Sequence, residues 1–122
     1  MERSKALTAL SALAHEARLD LIRLLVPQGA AGLAAGEIGR ALGLSASRLS
    51  FHLAALEQAG LITSRRSARN VIYTADATGI GQTIGYLLTD CCKDHPEIRA
   101  CCRGLGQDAA NPDLAQDARR SS

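Results

Sequence analysis

Apolar residues recur at helical spacing from the start of the chain. Leu7, Leu10, Leu13 and Ala14 follow that spacing, and after His15-Glu16-Ala17-Arg18 the pattern resumes with Leu19, Ile22, Leu25 and Val26. This predicts two consecutive helices, over about residues 3–14 and 16–26, with Pro27-Gln28-Gly29 ending the second. A small-residue loop follows to about Leu33. Ala35 to Leu42 reads as a short helix closed by Gly43, a residue suited to the left-handed cap position. Ser45 is placed to cap a further helix that runs to about Ala59 and ends at Gly60. Leu61 to Arg66 and Val71 to Thr74 are short β-rich runs around Ser67-Ala68-Arg69-Asn70, a hairpin signal with Asn70 as the turn residue suited to positive φ. Asp76 can cap a last helix of about residues 77–90, with Ile80, Ile84, Leu87 and Leu88 on its apolar stripe. Pro96 breaks or redirects the chain. From Gly104 onward Gly, Asn, Pro, Asp, Gln, Arg and Ser dominate, which predicts a disordered tail.

Composition agrees with a helical reading. The chain has 122 residues, 47% of them hydrophobic, and its aromatic residues are Phe51, Tyr73 and Tyr86 alone. That length fits one domain with one core. The core must be built from Ala, Leu and Ile, and Ala and Leu are good helix formers. No apolar run approaches the ~20 residues that a membrane span needs, and Met1-Glu2-Arg3-Ser4-Lys5 leads into an amphipathic stretch, not a signal peptide. The expected compartment is the cytoplasm, with no membrane partner.

The order of elements in the middle of the chain is short helix, tight Gly43 turn, second helix, β-hairpin. That is a helix-turn-helix with a wing. In the second helix Leu49, Leu53 and Leu56 share the inward stripe, so Ser47, Arg48, Phe51 and Ala55 point elsewhere, with His52 near the boundary. The only phenylalanine is thus turned outward, which is costly unless something covers it. A helix-turn-helix lays its second helix in the major groove and presents that helix's first residues to base edges. Here those are Ser45, Ser47, Arg48, Ser50, Phe51 and His52. Arg48 can make a bidentate pair with guanine, and Phe51 can touch a thymine methyl. Ser45, Ser50 and His52 suit phosphates, and Arg65, Arg66 and Arg69 in the hairpin suit backbone or minor groove. Net charge is only +2, but between Ser45 and Thr74 four arginines face a single acid, Glu57. The expected partner is double-stranded operator DNA. The apolar stripe of the last helix calls for a second copy of the chain, and a two-fold dimer implies a palindromic operator.

All four cysteines lie between positions 91 and 102, as Cys91-Cys92 and Cys101-Cys102. In a chain that is not exported, clustered thiols point to metal binding or redox chemistry. Neighbouring cysteines reach disulfide geometry only with strain. Thiolates select soft acceptors such as Cu(I), Zn(II) and, by extension, trivalent arsenic or antimony. As(III) takes three thiolates, so Cys91, Cys92 and one of Cys101 and Cys102 suffice; a methylated arsenical needs two. Zinc held by all four is geometrically possible, but adjacent pairs chelate it less well than C-x-x-C. There is no nucleophile–base–orienter set, phosphate-binding glycine loop or paired-carboxylate signature, and no C-x-x-C of a thiol reductase. The chain does not read as an enzyme.

Ala12-Leu13-Ala14-His15-Glu16-Ala17-Arg18-Leu19 resembles the second-helix signature of the ArsR/SmtB metalloregulators. Leu42 to Leu61 is similar to their recognition helix and its flanks, notably Ser45, Ser50, His52-Leu53 and Ala59-Gly60-Leu61, and Arg65 to Tyr73 resembles their wing. The likeness covers about residues 7–90. It implies a homodimeric repressor joined through its first and last helices and released from its operator by an inducer. In the wing, Ala68-Arg69-Asn70 stands where a Gly-Arg pair is more usual. The Cys-x-Cys of many arsenite repressors is replaced by Ala34-Ala35-Gly36. The Asp-x-His and His-x-x-His set of the zinc sensors is absent, although Asp90 and His95 occur, and the second helix lacks the cysteine of sulfide and persulfide sensors. Other members sense arsenic through a vicinal pair at the end of the last helix plus a downstream cysteine, an arrangement that Cys91-Cys92 matches; Arg99 stands about where that downstream cysteine usually does.

The expected fold is thus mostly α with a β-hairpin wing, a winged helix-turn-helix forming a homodimer through its first and last helices. Residues 1–92 make the DNA-binding and dimerisation domain, 93–103 a cysteine-containing sensor segment, and 104–122 a disordered tail. The expected inducer is As(III), with Sb(III) or methylarsenite as variants. The alternatives are a thiol-redox or persulfide-responsive repressor of the same fold and a zinc/cadmium-type sensor.

Overall fold

The computed structural model describes residues 1–110. The expected tail over 111–122 lies outside them. The chain divides into two compact units, the first ending at Thr83 and the second beginning at Ile84.

The first unit opens with α1 (Arg3–Leu13) and α2 (Glu16–Leu25), separated by Ala14 and His15. The Nδ1 of His15 accepts from the amide of Ala17 at 3.3 Å and so caps α2. A 3-10 segment, Val26–Ala31, leads into a two-residue strand, β1 (Leu33–Ala34), which the sequence pattern assigns to a loop. Then come α3 (Ala35–Leu42), α4 (Ala46–Gln58), β2 (Ile62–Ser67) and β3 (Asn70–Ala75). Local chemistry sets these boundaries. Glu37 Oε1 accepts from the amide of Ala34 ahead of α3, and Gly43 ends that helix at φ 66°, ψ 33°. The hydroxyl of Ser45 accepts from the amide of Arg48 at 3.4 Å, and Gly60 follows α4 at φ 78°. Asp76 Oδ1 accepts from the amide of Gly79, as its place before α5 (Ala77–Tyr86) predicts.

The sheet has three antiparallel strands in the order β1-β3-β2. Leu33 stands opposite Tyr73, and Ser64 opposite the same residue from the other side. At the hairpin tip the residue with positive φ is Ala68 (57°), not Asn70, which already pairs with Ser67. The turn thus lies over Ser67–Asn70 as the sequence places it, and only its left-handed residue differs, Ala68 in place of Asn70.

The core is Leu21 and Leu25 of α2, Ile38 of α3, Leu49, Leu53 and Leu56 of α4, and Leu61 and Ile62 where β2 begins, closed by Ala9 and Ala12. The three α4 leucines face inward as predicted. In α1 the buried face is Ala6, Ala9 and Ala12, whereas Leu7 is 56% exposed. The small alanines allow α1 to lie close on α2 and α4, and this turns Leu7 outward.

In the second unit α5 ends at Tyr86, short of the predicted residue 90, and the chain continues as a π-helical turn, Leu87–Cys91. Lys93 and Asp94 both take φ 55°, and His95 then caps a further helix, α6 (Pro96–Ala110), by accepting from the amide of Glu97 at 3.2 Å. The helix runs through Gly104, where the composition predicts the start of the tail; proline at its first position and Glu97 in its first turn are good helix-start chemistry. It also takes in most of the segment 93–103 that the sequence reads as a cysteine-containing sensor segment. No helix among the described residues is long and apolar enough to cross a membrane.

Candidate functional site

The helix pair α3–α4 exposes the first turns of α4. Ser45, Ser47, Arg48 and Ser50 are all exposed, and Phe51 is 66% exposed, the largest value among the big apolar side chains of the described residues. An isolated aromatic ring on the surface is unremarkable. This one lies beside a hollow of about 360 Å3 lined by His15, Ser47, Arg48, Phe51 and His52, and no carboxylate lines it. Hydroxyl, guanidinium, imidazole and aromatic edge are thus gathered at one end of one helix. That set suits a polyanion that also presents apolar groups.

His52 departs from the expected role. Only 5% of its surface is exposed, so it is an interior residue and not a phosphate contact. Its Nδ1 accepts from Arg18 Nε of α2 at 3.2 Å, and the His15 ring meets it edge-on at 4.6 Å between centroids. Burial, followed by the neighbouring His15, Arg18 and Arg48, pushes its pKa below the ordinary 6.5. The folded chain therefore favours neutral His52, so its contribution to stability is present above pH 6.5 and is lost as pH falls below that value. Urea unfolding at several pH values should show stability declining on acidification through this range. In the His52→Gln variant, which keeps an acceptor but does not titrate, the decline should be shallower.

The wing supplies fewer free cations than its sequence promises. Arg65 donates from its two terminal nitrogens to the carbonyls of Ala30 (3.1 Å) and Ala31 (3.2 Å), tying β2 to the segment before β1. From the middle of the hairpin, opposite Ile72, it is a brace and not a free cation. Arg66 and Arg69, nearer the turn, are exposed. Sequence reasoning missed Arg18, for which spacing within α2 gave no signal, because its partners are on α4.

The four cysteines are free thiols; Cys91, Cys101 and Cys102 are exposed and Cys92 is half-buried. Cys91 and Cys92 close the π-helical turn, and Cys101 and Cys102 fall in α6. Desolvation, the hydrogen bond with Cys91 and the charge of that neighbour push the Cys92 thiol above its usual range. Among the described residues no group of three or more His, Cys, Asp or Glu side chains is gathered for a metal ion. The structure brings Cys91 and Cys92 together and does not join Cys101 or Cys102 to them. The donor chemistry fits a soft thiophilic ion, and two donors are in place. A third would require Lys93-Asp94-His95 to move, and there Arg99 Nε donates to Asp94 Oδ1 at 2.8 Å and Arg99 Nη2 donates to Thr89 Oγ1 at 3.4 Å.

Residues 13–65 match the model of a helix-turn-helix domain family. The chain is 37% identical to the HTH-type transcriptional regulator YgaV of Escherichia coli K12, over 68% of this chain and 82% of that protein. It is 38% identical to the transcriptional activator HlyU of Vibrio cholerae, over 69% of this chain and 75% of the relative. Among solved structures it resembles the homodimeric winged helix-turn-helix DNA-binding domain Mb0332 from Mycobacterium bovis, a possible ArsR-family regulator. There the TM-score is 0.57 at 27% identity, covering 75% of this chain and 80% of that one.

Proposed function

The chain belongs to the ArsR family of winged helix-turn-helix transcriptional regulators, and we propose that it is a homodimeric repressor released from operator DNA by trivalent arsenic. The observation that carries the DNA reading is the exposed end of α4, where Arg48 and Phe51 border a hollow free of acids. Arg48 pairs with guanine, Phe51 covers a thymine methyl, and Ser45, Ser47 and Ser50 hold phosphates. Arg66 and Arg69 track the backbone beside them. Dimerisation through the first and last helices covers the exposed apolar residues Leu7 of α1 and Ile84 of α5, and it sets two recognition helices one DNA turn apart. A cytoplasmic site of action follows from the operator as partner.

The inducer reading rests on four free thiols within twelve residues of sequence. An As–S bond forms as a hydroxyl on arsenic leaves with the thiol proton as water, so neutral thiols such as Cys92 can react. Cys91 and Cys92 supply the first two sulfurs, and Cys101 or Cys102 the third. Antimony(III) and methylarsenite share the chemistry. Cys91 ends the π-helical turn that continues α5, so a metalloid drawn in there acts at the end of the dimerisation helix. A coupling of about 1–3 kcal/mol between inducer and operator corresponds to a ~5–150-fold loss of DNA affinity.

The test is fluorescence anisotropy of a labelled duplex from upstream of the protein's own gene. Reduced protein in a phosphine reductant is titrated in turn with arsenite, antimonite, zinc and a persulfide donor. Release by arsenite or antimonite is the expected result. Cys92→Ser should bind DNA like the wild type and lose the response at wild-type inducer concentration. Release by persulfide alone would place the chain with thiol-redox regulators of the same fold.

A further inference from the structure

Arg18 lies on α2, outside the helix-turn-helix, yet it touches two residues of α4, the exposed Phe51 and the buried His52 next to it. Its Nε donates to His52 Nδ1 at 3.2 Å, and its guanidinium carbon lies 5.5 Å from the centroid of the Phe51 ring. The Phe51 and His52 rings meet at 5.6 Å and 68°, and the His15 ring closes the other side of His52. A guanidinium is always charged and offers donors only. His52 Nδ1 must therefore accept, which places the imidazole proton on Nε2. A cation over an aromatic face is attracted to it, so the same side chain also restrains the exposed Phe51 ring.

We propose that Arg18 is a positioning residue for DNA recognition: from α2 it fixes the His52 tautomer and braces Phe51, so that α4 meets a duplex with its reading edge already set. The proposal rests on the reading of α4 as the recognition helix. An exposed phenylalanine at the surface of a helix otherwise samples several rotamers, and fixing it on binding costs affinity. A ring held beforehand avoids that cost on every duplex. It adds discrimination only where the held orientation matches a thymine methyl, so removing the brace weakens specific binding more than binding to random DNA. The charge of Arg18 alone would instead act on both kinds of duplex alike.

Two nearly isosteric substitutions separate these effects. In Arg18→Gln the amide nitrogen occupies the atom position of Nε, keeping the donor without the charge. In Arg18→Met a methyl carbon occupies it. Long-range 1H–15N NMR spectra of the imidazoles should show His52 in the Nε2–H form in the wild type and in Arg18→Gln, and a mixture of tautomers in Arg18→Met. Anisotropy on specific and random duplexes should show Arg18→Met losing about tenfold on the specific duplex and much less on the random one, with Arg18→Gln, which keeps the donor to His52 but not the cation over Phe51, recovering part of the loss. Equal losses by both variants on both duplexes would reduce Arg18 to a charge and overturn the proposal. So would an unchanged tautomer in Arg18→Met. Should Arg18→Met fail to fold, Arg18→Gln decides alone: a tautomer switch in that variant overturns the positioning role, and retention supports it. A wild type that holds the tautomer but binds no duplex would overturn the recognition-helix reading, and with it any role of this brace in DNA binding.

Discussion

Gly79→Ala is expected to lower folding stability by about 3 kcal/mol, seen as a drop in the urea midpoint with little change in slope. A Cβ on Gly79 would collide with the carbonyl oxygen of Gly60 and lie 2.9 Å from its carbon, both main-chain atoms. Neither side can give way easily. Gly60 holds φ 78° at the end of α4, its amide bonds to Glu57, and the Leu61 amide bonds to Leu56, so that turn is pinned at several points. Gly79 is held by its amide bond to Asp76 at the start of α5. Overpacking against backbone lacks the usual relief of a rotamer change. Gly36→Ala is the comparison: its Cβ would meet only Arg40 Nη1 at 3.6 Å, an ordinary contact, and helix propensity favours alanine. A Gly79→Ala midpoint matching that of Gly36→Ala would show that α5 can shift away from the Gly60 turn.

Arg48→Ala is expected to cost about 1–3 kcal/mol on the operator and far less on random DNA. Arg66→Ala should weaken both alike and flatten the salt dependence by about one phosphate contact. The contrast follows from position. Arg48 is in the first turn of α4, its amide tied to Ser45, at the rim of the hollow beside Phe51. Arg66 is on an exposed hairpin strand, where a guanidinium meets phosphate without reading sequence. Titrations of each variant against specific and random duplexes over a range of salt concentrations separate the two. Equal losses on both duplexes for Arg48→Ala would remove its base-reading role.

The parts of this fold that were legible in the sequence are those set by neighbours along the chain. Gly43, Ser45, Gly60 and Asp76 act within one turn of themselves, and each bounds the helix expected of it. Leu49, Leu53 and Leu56 are three and four apart, so the period alone names their face. What was hidden depends on partners far away. Leu33-Ala34 is too short to signal a strand and becomes one only by pairing with Ile72 and Tyr73. Arg65 reads as a basic residue for DNA until the carbonyls of Ala30 and Ala31 come within reach. His52 is a boundary residue by period and an interior one once Arg18 and His15 close over it. Leu7 follows the apparent stripe of α1, but alanine packs closer than leucine and takes the inner face. The start of α6 was readable after the fact, since His95-Pro96-Glu97 carries a cap, a first-turn proline and a first-turn acid. The cysteine pairs are conspicuous in sequence, whereas the chain path between them turns on Lys93 and Asp94, both left-handed, of which only Asp94 has a side chain suited to that region.

Strand β1 has a consequence for how the molecule comes to exist. Its pairing with β3 closes a loop of chain from Leu33 to Tyr73, and α3, α4 and β2 all lie inside that loop. Arg48, Phe51, Arg65, Arg66 and Arg69 are therefore enclosed by one closure. Joining ends so far apart in sequence costs entropy before the contacts that reward it can form. A nascent chain that has emerged only as far as the wing turn has every residue of the reading face but lacks the strand that completes the sheet. Synthesis past β3 and closure of the sheet together set the moment at which the winged fold is complete.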